Sequence, residues 1–337
     1  MRLRRTHPDD VAPVRRRAPE RRVYVRARAC LLAATLLGVA VGAGACSSDS
    51  SSLAASSDGG SSGKIAAVGA ENEYADVISQ IGGKYVSVSA IMSDPNTDPH
   101  TFEASPQVAS EVSGAQLIVQ NGVGYDDFMG KIEQADANSA RKVVDVQTLL
   151  GLPDSTPNPH LWYKPSTMPA VAAAVQSDLA ALDPSHAAYF KANLAAFDSS
   201  LDAWNSAITE LKTKYAGYAV ATTEPVADYL LEAAGIDNLT PWAFQADVMN
   251  GTDPSPQDVA TEQALFTGHK VKAFVYNQQV TDSLTESLLT LAHQNGIPVV
   301  GVYETMPTPG YDYQQWMLAE VGALSNAFGA GKSAPTL

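Results

Sequence analysis

Short β-rich segments alternate with amphipathic segments along the chain, from residue 64 to its C-terminus. The short segments predict strands, and the segments with apolar residues at helical spacing predict helices. The strands are predicted at residues 65–68, 86–91, 117–120, 143–145, 218–222, 236–239, 273–277 and 298–302. The helices are predicted at 74–81, 107–113, 126–132, 166–182, 226–234, 256–266, 281–294 and 313–328.

This alternation predicts an α/β fold of two lobes, each a (β/α)4-type unit around a parallel sheet. The N-terminal lobe is predicted at 64–165 and the C-terminal lobe at 217–331, with a helical region at 166–216 between them. Ligands of open parallel sheets bind outside the carboxyl ends of the strands. The residues that directly follow each strand are therefore the candidates for a binding site.

Apolar residues in the helical region recur at alternating spacings of four and three residues. The run covers 26 residues, which is about 39 Å of helix and long for covering one small sheet. We expect one long rigid helix, at about 184–215, that spans both lobes. A coiled-coil segment is the alternative, but no partner helix is predicted nearby. The stripe consists of Phe190, Leu194, Phe197, Leu201, Trp204, Ile208, Leu211 and Tyr215.

Residues 1–45 have the composition of a signal peptide and not of a folded domain. Ten arginines lie before Cys30, and the apolar segment 30–45 is too short for a comfortable membrane span. The small residues that end at Cys46 resemble a bacterial lipobox, which implies cleavage before Cys46 and acylation of its thiol. A secretory signal without acylation is the alternative. The Ser/Gly-rich segment 46–63 is typical of a flexible tether.

The cysteine count and the charge exclude several kinds of site. The two cysteines, Cys30 and Cys46, leave the predicted lobes without a disulfide framework or a zinc–thiolate site. The net charge is −14, and residues 1–45 hold ten of the 22 basic and three of the 36 acidic residues, which leaves −21 on the remainder. Such a chain disfavours nucleic acid and favours cations, with acidity for solubility alone as the alternative.

Two histidines of the first lobe lie in loops of similar sequence. His100 ends an Asp-Pro-His motif at 98–100 and is followed by Phe102, and His160 lies in Asn-Pro-His-Leu-Trp at 158–162. Each imidazole therefore follows a proline, which stiffens the loop, and precedes a bulky aromatic residue. The repeated pattern predicts that both histidines are ligands, although a single loop histidine is usually only solvated.

Two glutamates occupy matching places in the second lobe. Glu224 follows the strand at 218–222, and Glu304 follows the strand at 298–302. Two imidazoles with two carboxylates suit a divalent transition metal such as zinc, manganese or iron, whereas calcium or magnesium prefers oxygen ligands throughout.

Both glutamates have an ordinary alternative interpretation. Glu224 could be a carboxylate favoured at a helix N-terminus. Glu304 could be an exposed loop acid, with Asp312 or Asp228 as the ligand in its place. The other histidines, His7, His186, His269 and His293, lie outside the pattern and are predicted not to bind the ion.

The motifs at 98–106, 121–126, 158–165 and 183–193 resemble, in this order, those of the substrate-binding lipoproteins of zinc and manganese ABC transporters. This is the cluster A-I or metal-adhesin family, and the resemblance covers the chain from Lys64 to its C-terminus. It implies two α/β lobes joined by one rigid helix, with a single metal ion held between them by four side chains. His100 and His160 match the two ligands of the family's N-terminal lobe.

The resemblance also locates the remaining ligands and the metal preference. Glu224 falls where zinc-type members have histidine and manganese-type members have glutamate, and Glu304 falls where the family has aspartate. Phe102 and Trp162 are expected to shape the site and exclude water from it, with plain core packing as the alternative. The chain lacks the His- and Asp-rich loop of many zinc-specific members, and its third ligand is a carboxylate. Manganese is therefore expected ahead of zinc, with ferrous iron as a further candidate.

The family implies a transport function and not an enzymatic one. We expect an extracytoplasmic, lipid-anchored monomer at the outer face of the cell membrane that delivers its ion to an ABC permease with its ATPase. A surface adhesin on the same fold is the alternative. A metallohydrolase is disfavoured because no His-Glu-x-x-His motif or two-metal cluster is present. Neither a dinucleotide-binding nor a P-loop glycine motif follows any predicted strand.

Overall fold

The computed structural model describes residues 63–96, 98–307 and 310–337. The predicted signal peptide, Cys46 and the tether up to residue 62 lie outside these residues, so the predictions for them remain predictions. The described residues, from 63 onward, belong to one compact unit. In the described part of the chain, no helix is both long enough and apolar enough to cross a membrane.

The first lobe is built on a parallel four-stranded sheet in the order β2-β1-β3-β4. Its two central strands carry apolar residues on both faces, which pack into separate buried clusters on the two sides of the sheet. The strands are β1 Ile65–Glu71, β2 Val86–Met92, β3 Leu117–Gln120 and β4 Lys142–Asp145. The helices are α1 Asn72–Gly82, α2 Pro106–Gly114, α3 Asp127–Ala135, α4 Val146–Leu149 and α5 Thr167–Leu182.

The second lobe repeats this topology, with a parallel sheet in the order β6-β5-β7-β8. The strands are β5 Ala219–Thr222, β6 Asp237–Asn238, β7 Ala273–Asn277 and β8 Val299–Val302. The helices are α8 Asp228–Ala233, α9 Trp242–Met249, α10 Pro256–Thr267, α11 Ser283–Gln294 and α12 Tyr313–Ala330. All eight predicted strands are confirmed. The short helices α4 and α9 were not predicted; α9 follows Pro241 without a side-chain cap, so it lacks the usual start signal.

The helix predicted over 184–215 is divided at Leu201 into α6, Ala187–Ser200, and α7, Asp202–Tyr215. Leu201 keeps right-handed helical dihedral angles, but its N–H donates to the carbonyl of Asp198, three residues back, so the i→i−4 ladder is interrupted. Helix α6 packs against α1 and α5 in the first lobe, whereas α7 packs against α12 and α8 in the second. Each half of the connection therefore belongs to one lobe.

The apolar stripe along α6 and α7 is nevertheless continuous in the core. Phe190, Phe197, Leu201, Trp204 and Leu211 are each at most 2% exposed. They belong to one buried cluster that includes residues of both sheets, so the two lobes share a core. A shared core opposes large rotation of one lobe against the other.

Candidate metal centre

The two histidine loops share one hydrogen bond because an acid or amide lies two residues before each histidine. Asp98 Oδ1 accepts a hydrogen bond from the backbone N–H of His100 at 2.8 Å, and Asn158 Oδ1 accepts one from the N–H of His160 at 3.0 Å. Short side chains of this kind form such turns with the backbone, and the proline between them restricts φ. Each loop therefore presents its imidazole from a rigid turn.

Asn158 also determines the tautomer of His160. Its Nδ2 donates to the carbonyl of Pro225 at 2.8 Å, which assigns the acceptor Oδ1 to the side that faces His160. The ring Nδ1 lies 2.8 Å from that oxygen and must therefore donate. In the neutral ring, Nε2 then carries a lone pair. Since Pro225 directly follows Glu224, the same amide also ties the Glu224 loop to the first lobe.

The loop that carries Glu304 is held from both lobes. In the second lobe, Gln279 Oε1 accepts from the backbone N–H groups of Glu304 at 2.6 Å and Thr305 at 2.9 Å. In the first lobe, Asn72 exchanges two hydrogen bonds with the backbone of Met306, at 2.8 and 2.9 Å. Glu304 itself is fully buried. Its position is therefore determined by contacts across the cleft between the lobes.

Three of the four predicted ligands converge on one point. Glu304 Oε2 lies 3.1 Å from His100 Nε2 and 3.2 Å from His160 Nε2, and one donor atom from each of these residues lies within 4.8 Å of the others. The His160 side chain is fully buried, whereas that of His100 keeps 21% of its exposure. This group has the composition and spacing of a metal site that is reached from the His100 side.

Glu224 lies beside this group without belonging to it. It is 2% exposed, and Asn277 Nδ2 donates both to Glu224 Oε1 at 3.1 Å and to Glu304 Oε1 at 2.7 Å. The two carboxylates therefore share one amide group. The other carboxylate oxygen of Glu224 is buried and has no hydrogen-bond partner among the described residues.

The charge of Glu304 controls the protonation of its neighbours. Burial opposes ionisation of Glu304, but His100 and His160 hold its pKa well below the usual range. Burial also lowers the pKa of His100, yet the charge and hydrogen bond of Glu304 outweigh it and raise that pKa overall. For His160, burial prevails and the pKa is lowered. Burial and the charge of Glu304 raise the pKa of Glu224 well above its ordinary value.

The two predicted aromatic neighbours differ in their contacts. The Trp162 ring is fully buried and packs edge-on against the His160 ring, with centroids 5.4 Å apart. Phe102 is half-buried, and its ring packs on Phe128, with centroids 4.9 Å apart. Trp162 therefore supports a candidate ligand directly, whereas Phe102 packs under the His100 loop.

The alternatives to Glu304 lie elsewhere. Asp312 caps the N-terminus of α12 by accepting from the N–H of Gln315 at 2.7 Å. Asp228 accepts from Asn238 Nδ2 at 2.8 Å. Both carboxylates are engaged in local structure, which leaves Glu304 as the acid beside the imidazoles.

Several residues of the site were missed as functional residues. The Tyr125 hydroxyl donates to Glu304 Oε2 at 3.0 Å, and Asn277 and Gln279 bind the carboxylate and the backbone of the Glu304 loop. Tyr125 and Asn158 lie in motifs already noted, but the partner that each one contacts is distant in sequence. Asn277 and Gln279 directly follow strand β7, so their place at the end of a strand was the available signal.

Residues 68–327 match the ZnuA family, described as zinc-uptake complex component A, periplasmic. This match covers more than half of the chain. The chain belongs to this family. Members are substrate-binding components of ABC transporters, in agreement with the expectation of a transport function and not an enzymatic one.

Two streptococcal lipoproteins are among the curated relatives of this chain. The chain is 24% identical over 274 residues to FimA of Streptococcus parasanguinis, which is named a metal ABC transporter substrate-binding lipoprotein. That alignment covers 76% of this chain and 82% of FimA. The chain is 23% identical over 259 residues to PsaA of Streptococcus pneumoniae, which is named a manganese ABC transporter substrate-binding lipoprotein. That alignment covers 71% of this chain and 79% of PsaA.

The fold is shared with solved structures of the same type. The periplasmic zinc binding protein TroA from Treponema pallidum superposes with a TM-score of 0.67 at 19% identity, over 80% of this chain and all of TroA. The comparison supports the two-lobed α/β architecture described above.

Proposed function

We propose that this protein captures one divalent transition metal ion between its lobes and delivers it to the permease of an ABC transporter. The ligands are His100, His160 and Glu304, with Glu224 as the fourth. The ion is the transported substrate, and the protein performs no reaction on it. The proposal rests on membership of the ZnuA family together with the convergence of these side chains.

One contact carries the proposal. In the neutral tautomer set by Asn158, His160 Nε2 presents a lone pair to Glu304 Oε2 at 3.2 Å. Two electron-rich atoms repel at this distance unless a proton or a cation lies between them. His100 Nε2 lies 3.1 Å from the same oxygen, so a single cation can satisfy all three atoms. Imidazole nitrogen and carboxylate oxygen are ligands that zinc, manganese and ferrous iron accept.

Manganese, zinc and ferrous iron are all candidates for the ion. The carboxylates at 224 and 304 support manganese on ligand type, while zinc binds the same set. The lipid anchor at Cys46 and the outer face of the cell membrane remain part of the proposal, supported by the lipobox-like sequence and by relatives that are named lipoproteins. We further propose that the protein acts as a monomer. No observation favours the adhesin alternative over transport.

Metal content tests the proposed function directly. The protein, purified without chelators and then exposed to buffered manganese, zinc or ferrous iron, is expected to bind one equivalent of at least one of them. Elemental mass spectrometry with native mass spectrometry measures the stoichiometry. If none of the three ions is retained at any buffered concentration, the transport function is wrong.

Metal affinity is expected to fall as the pH is lowered, and the fall should begin above the ordinary histidine pKa of about 6.5. Glu304 raises the pKa of His100, so below that raised pKa the ion must displace a proton from this ring. Burial and the charge of Glu304 also raise the pKa of Glu224, so its ligation releases a further proton wherever the pH lies below that pKa. Titration calorimetry in buffers of different ionisation enthalpy counts these protons. An affinity independent of pH between 5 and 8 contradicts the histidine ligands.

A further inference from the structure

Asn277 lies between the two glutamates that are candidate ligands and binds both of them. It is 1% exposed, and its single Nδ2 donates to one oxygen of Glu224 and to one oxygen of Glu304. In each carboxylate Asn277 binds only Oε1, which leaves Oε2 to other partners. Glu304 Oε2 is the atom that faces both imidazoles, and Glu224 Oε2 is buried without a described partner.

The orientation of the Asn277 amide is determined by its other contacts. Asn277 Oδ1 accepts from the backbone N–H of Gln279 at 3.0 Å. The backbone N–H of Asn277 donates to the hydroxyl of Thr223 at 2.9 Å, and Thr223 directly precedes Glu224. A flipped amide would lose the Gln279 bond and direct an oxygen at two carboxylates. The Nδ2 therefore faces the carboxylates in the only arrangement that satisfies all of these groups.

We infer that Asn277 selects a four-coordinate ion by restricting Glu224 and Glu304 to one oxygen each. This inference rests on the proposed function. Two-oxygen binding would draw Oε1 toward the ion, break its bond to Asn277 and bring a positively polarised N–H group near a cation. With two imidazole nitrogens and two single carboxylate oxygens, the protein supplies four donor atoms.

Four donors of this kind favour zinc over manganese. Zinc is readily held by four ligands in a tetrahedron, whereas manganese is typically held by a larger, octahedral set rich in oxygen. Zinc also binds a given set of nitrogen and oxygen ligands more tightly than manganese. The ligand types alone suggested a preference for manganese. The Asn277 amide, which binds both glutamates, reverses that preference. Asn277 acts here as a positioning residue and does not touch the ion.

The wild-type protein provides the first test, with Co²⁺ as a spectroscopic probe. We expect the intense visible absorption bands of four-coordinate cobalt, displaced by one equivalent of zinc. The weak bands of six-coordinate cobalt would overturn the inference while leaving the transport function intact. A protein that binds none of cobalt, zinc, manganese and ferrous iron would overturn the transport function itself, so the two failures are distinguishable.

The second test replaces Asn277. In Asn277→Ala the carboxylates are free to bind with both oxygens, and the ratio of zinc affinity to manganese affinity should fall by about 10-fold or more, the usual scale for loss of an outer contact to a ligand. Chelator competition at buffered free-ion concentrations measures both affinities. Asn277→Leu has a similar size and cannot donate to the glutamates, so the ratio should fall in this variant as well; it serves if the alanine variant does not fold.

Asn238→Ala is the matched control. Asn238 lies in the same lobe, its Nδ2 donates to Thr222 and Asp228, and its Oδ1 accepts from the backbone N–H of Thr240. The substitution therefore removes an equivalent set of hydrogen bonds without touching Glu224 or Glu304. An unchanged zinc-to-manganese ratio in both Asn277 variants, or an equal fall in the Asn238 variant, contradicts the inference.

Discussion

The double variant His100→Ala/His160→Ala is expected to bind none of manganese, zinc or ferrous iron at concentrations that saturate the wild-type protein. Loss of a group that only supports a ligand already costs about 10–100-fold in affinity. Loss of two ligands should therefore lower the affinity by more than about 100-fold. Both imidazoles lie within 3.2 Å of the same carboxylate oxygen, and no described side chain takes their place in this group. Elemental mass spectrometry after dialysis measures the effect.

The control for this variant is His186→Ala/His269→Ala. His186 is paired with Asp183 at 2.6 Å at the start of the helical connection, and His269 lies in an exposed loop. Neither belongs to the group around Glu304. The control should retain one equivalent of metal and a wild-type circular dichroism spectrum. Retention of metal by the variant at 100 and 160, with the fold intact, would locate the site elsewhere.

Glu304→Gln is expected to weaken metal binding by about 100-fold or more, at the upper end of the range for changes around a bound ion. The substitution keeps the size of the side chain and the acceptor for Asn277, but it removes the charge that both imidazoles face. The charge of Glu304 raises the pKa of His100, so the same variant should lower that pKa. Titration of the imidazole C–H signals by NMR measures the pKa without metal.

Glu320→Gln is the control for the loss of a buried carboxyl group away from the site. Glu320 is also a fully buried acid of the second lobe, and burial raises its pKa to about 8. Its Oε1 accepts from Tyr163 and Trp316 and makes no contact with either imidazole of the site. The control should change neither the metal affinity nor the pKa of His100. A Glu304→Gln protein with wild-type affinity and an unchanged His100 pKa would remove Glu304 from the ligand set.

Thermal unfolding in the absence of metal distinguishes a variant that has lost a ligand from one whose lobes have separated. A variant that lost metal only because the lobes had separated would also lose the contact of Asn72 with Met306, and its thermal unfolding temperature would fall in the absence of metal. A variant that lost only a ligand keeps these contacts and a single cooperative unfolding transition, although loss of the ion pair between His100 and Glu304 lowers its metal-free stability. Thermal unfolding without metal therefore accompanies both substitutions.

The local sequence determined much of the fold and two of the candidate ligands. The strands of the parallel sheets are short segments rich in β-forming residues, so the sequence predicted each strand and placed most of its ends within about one or two residues. The Asx-Pro-His turns at 98–100 and 158–160 are also local, because the Asx side chain accepts from a backbone N–H only two residues away. The positions of Glu224 and Glu304 followed from the rule that binding residues lie after the strands.

The tertiary structure decided how these residues meet. The division of the long helix at Leu201 follows from packing each half on a different lobe, which the continuous apolar stripe could not reveal. The bond from Asn158 to Pro225 joins residues 67 positions apart, and Asn277 joins two glutamates that lie 53 and 27 positions away. A hydrogen-bonding side chain has many possible partners in the sequence. Only the packing of the loops in the folded protein selects one. We propose that the selection made at Asn277 sets the number of oxygens offered to the ion.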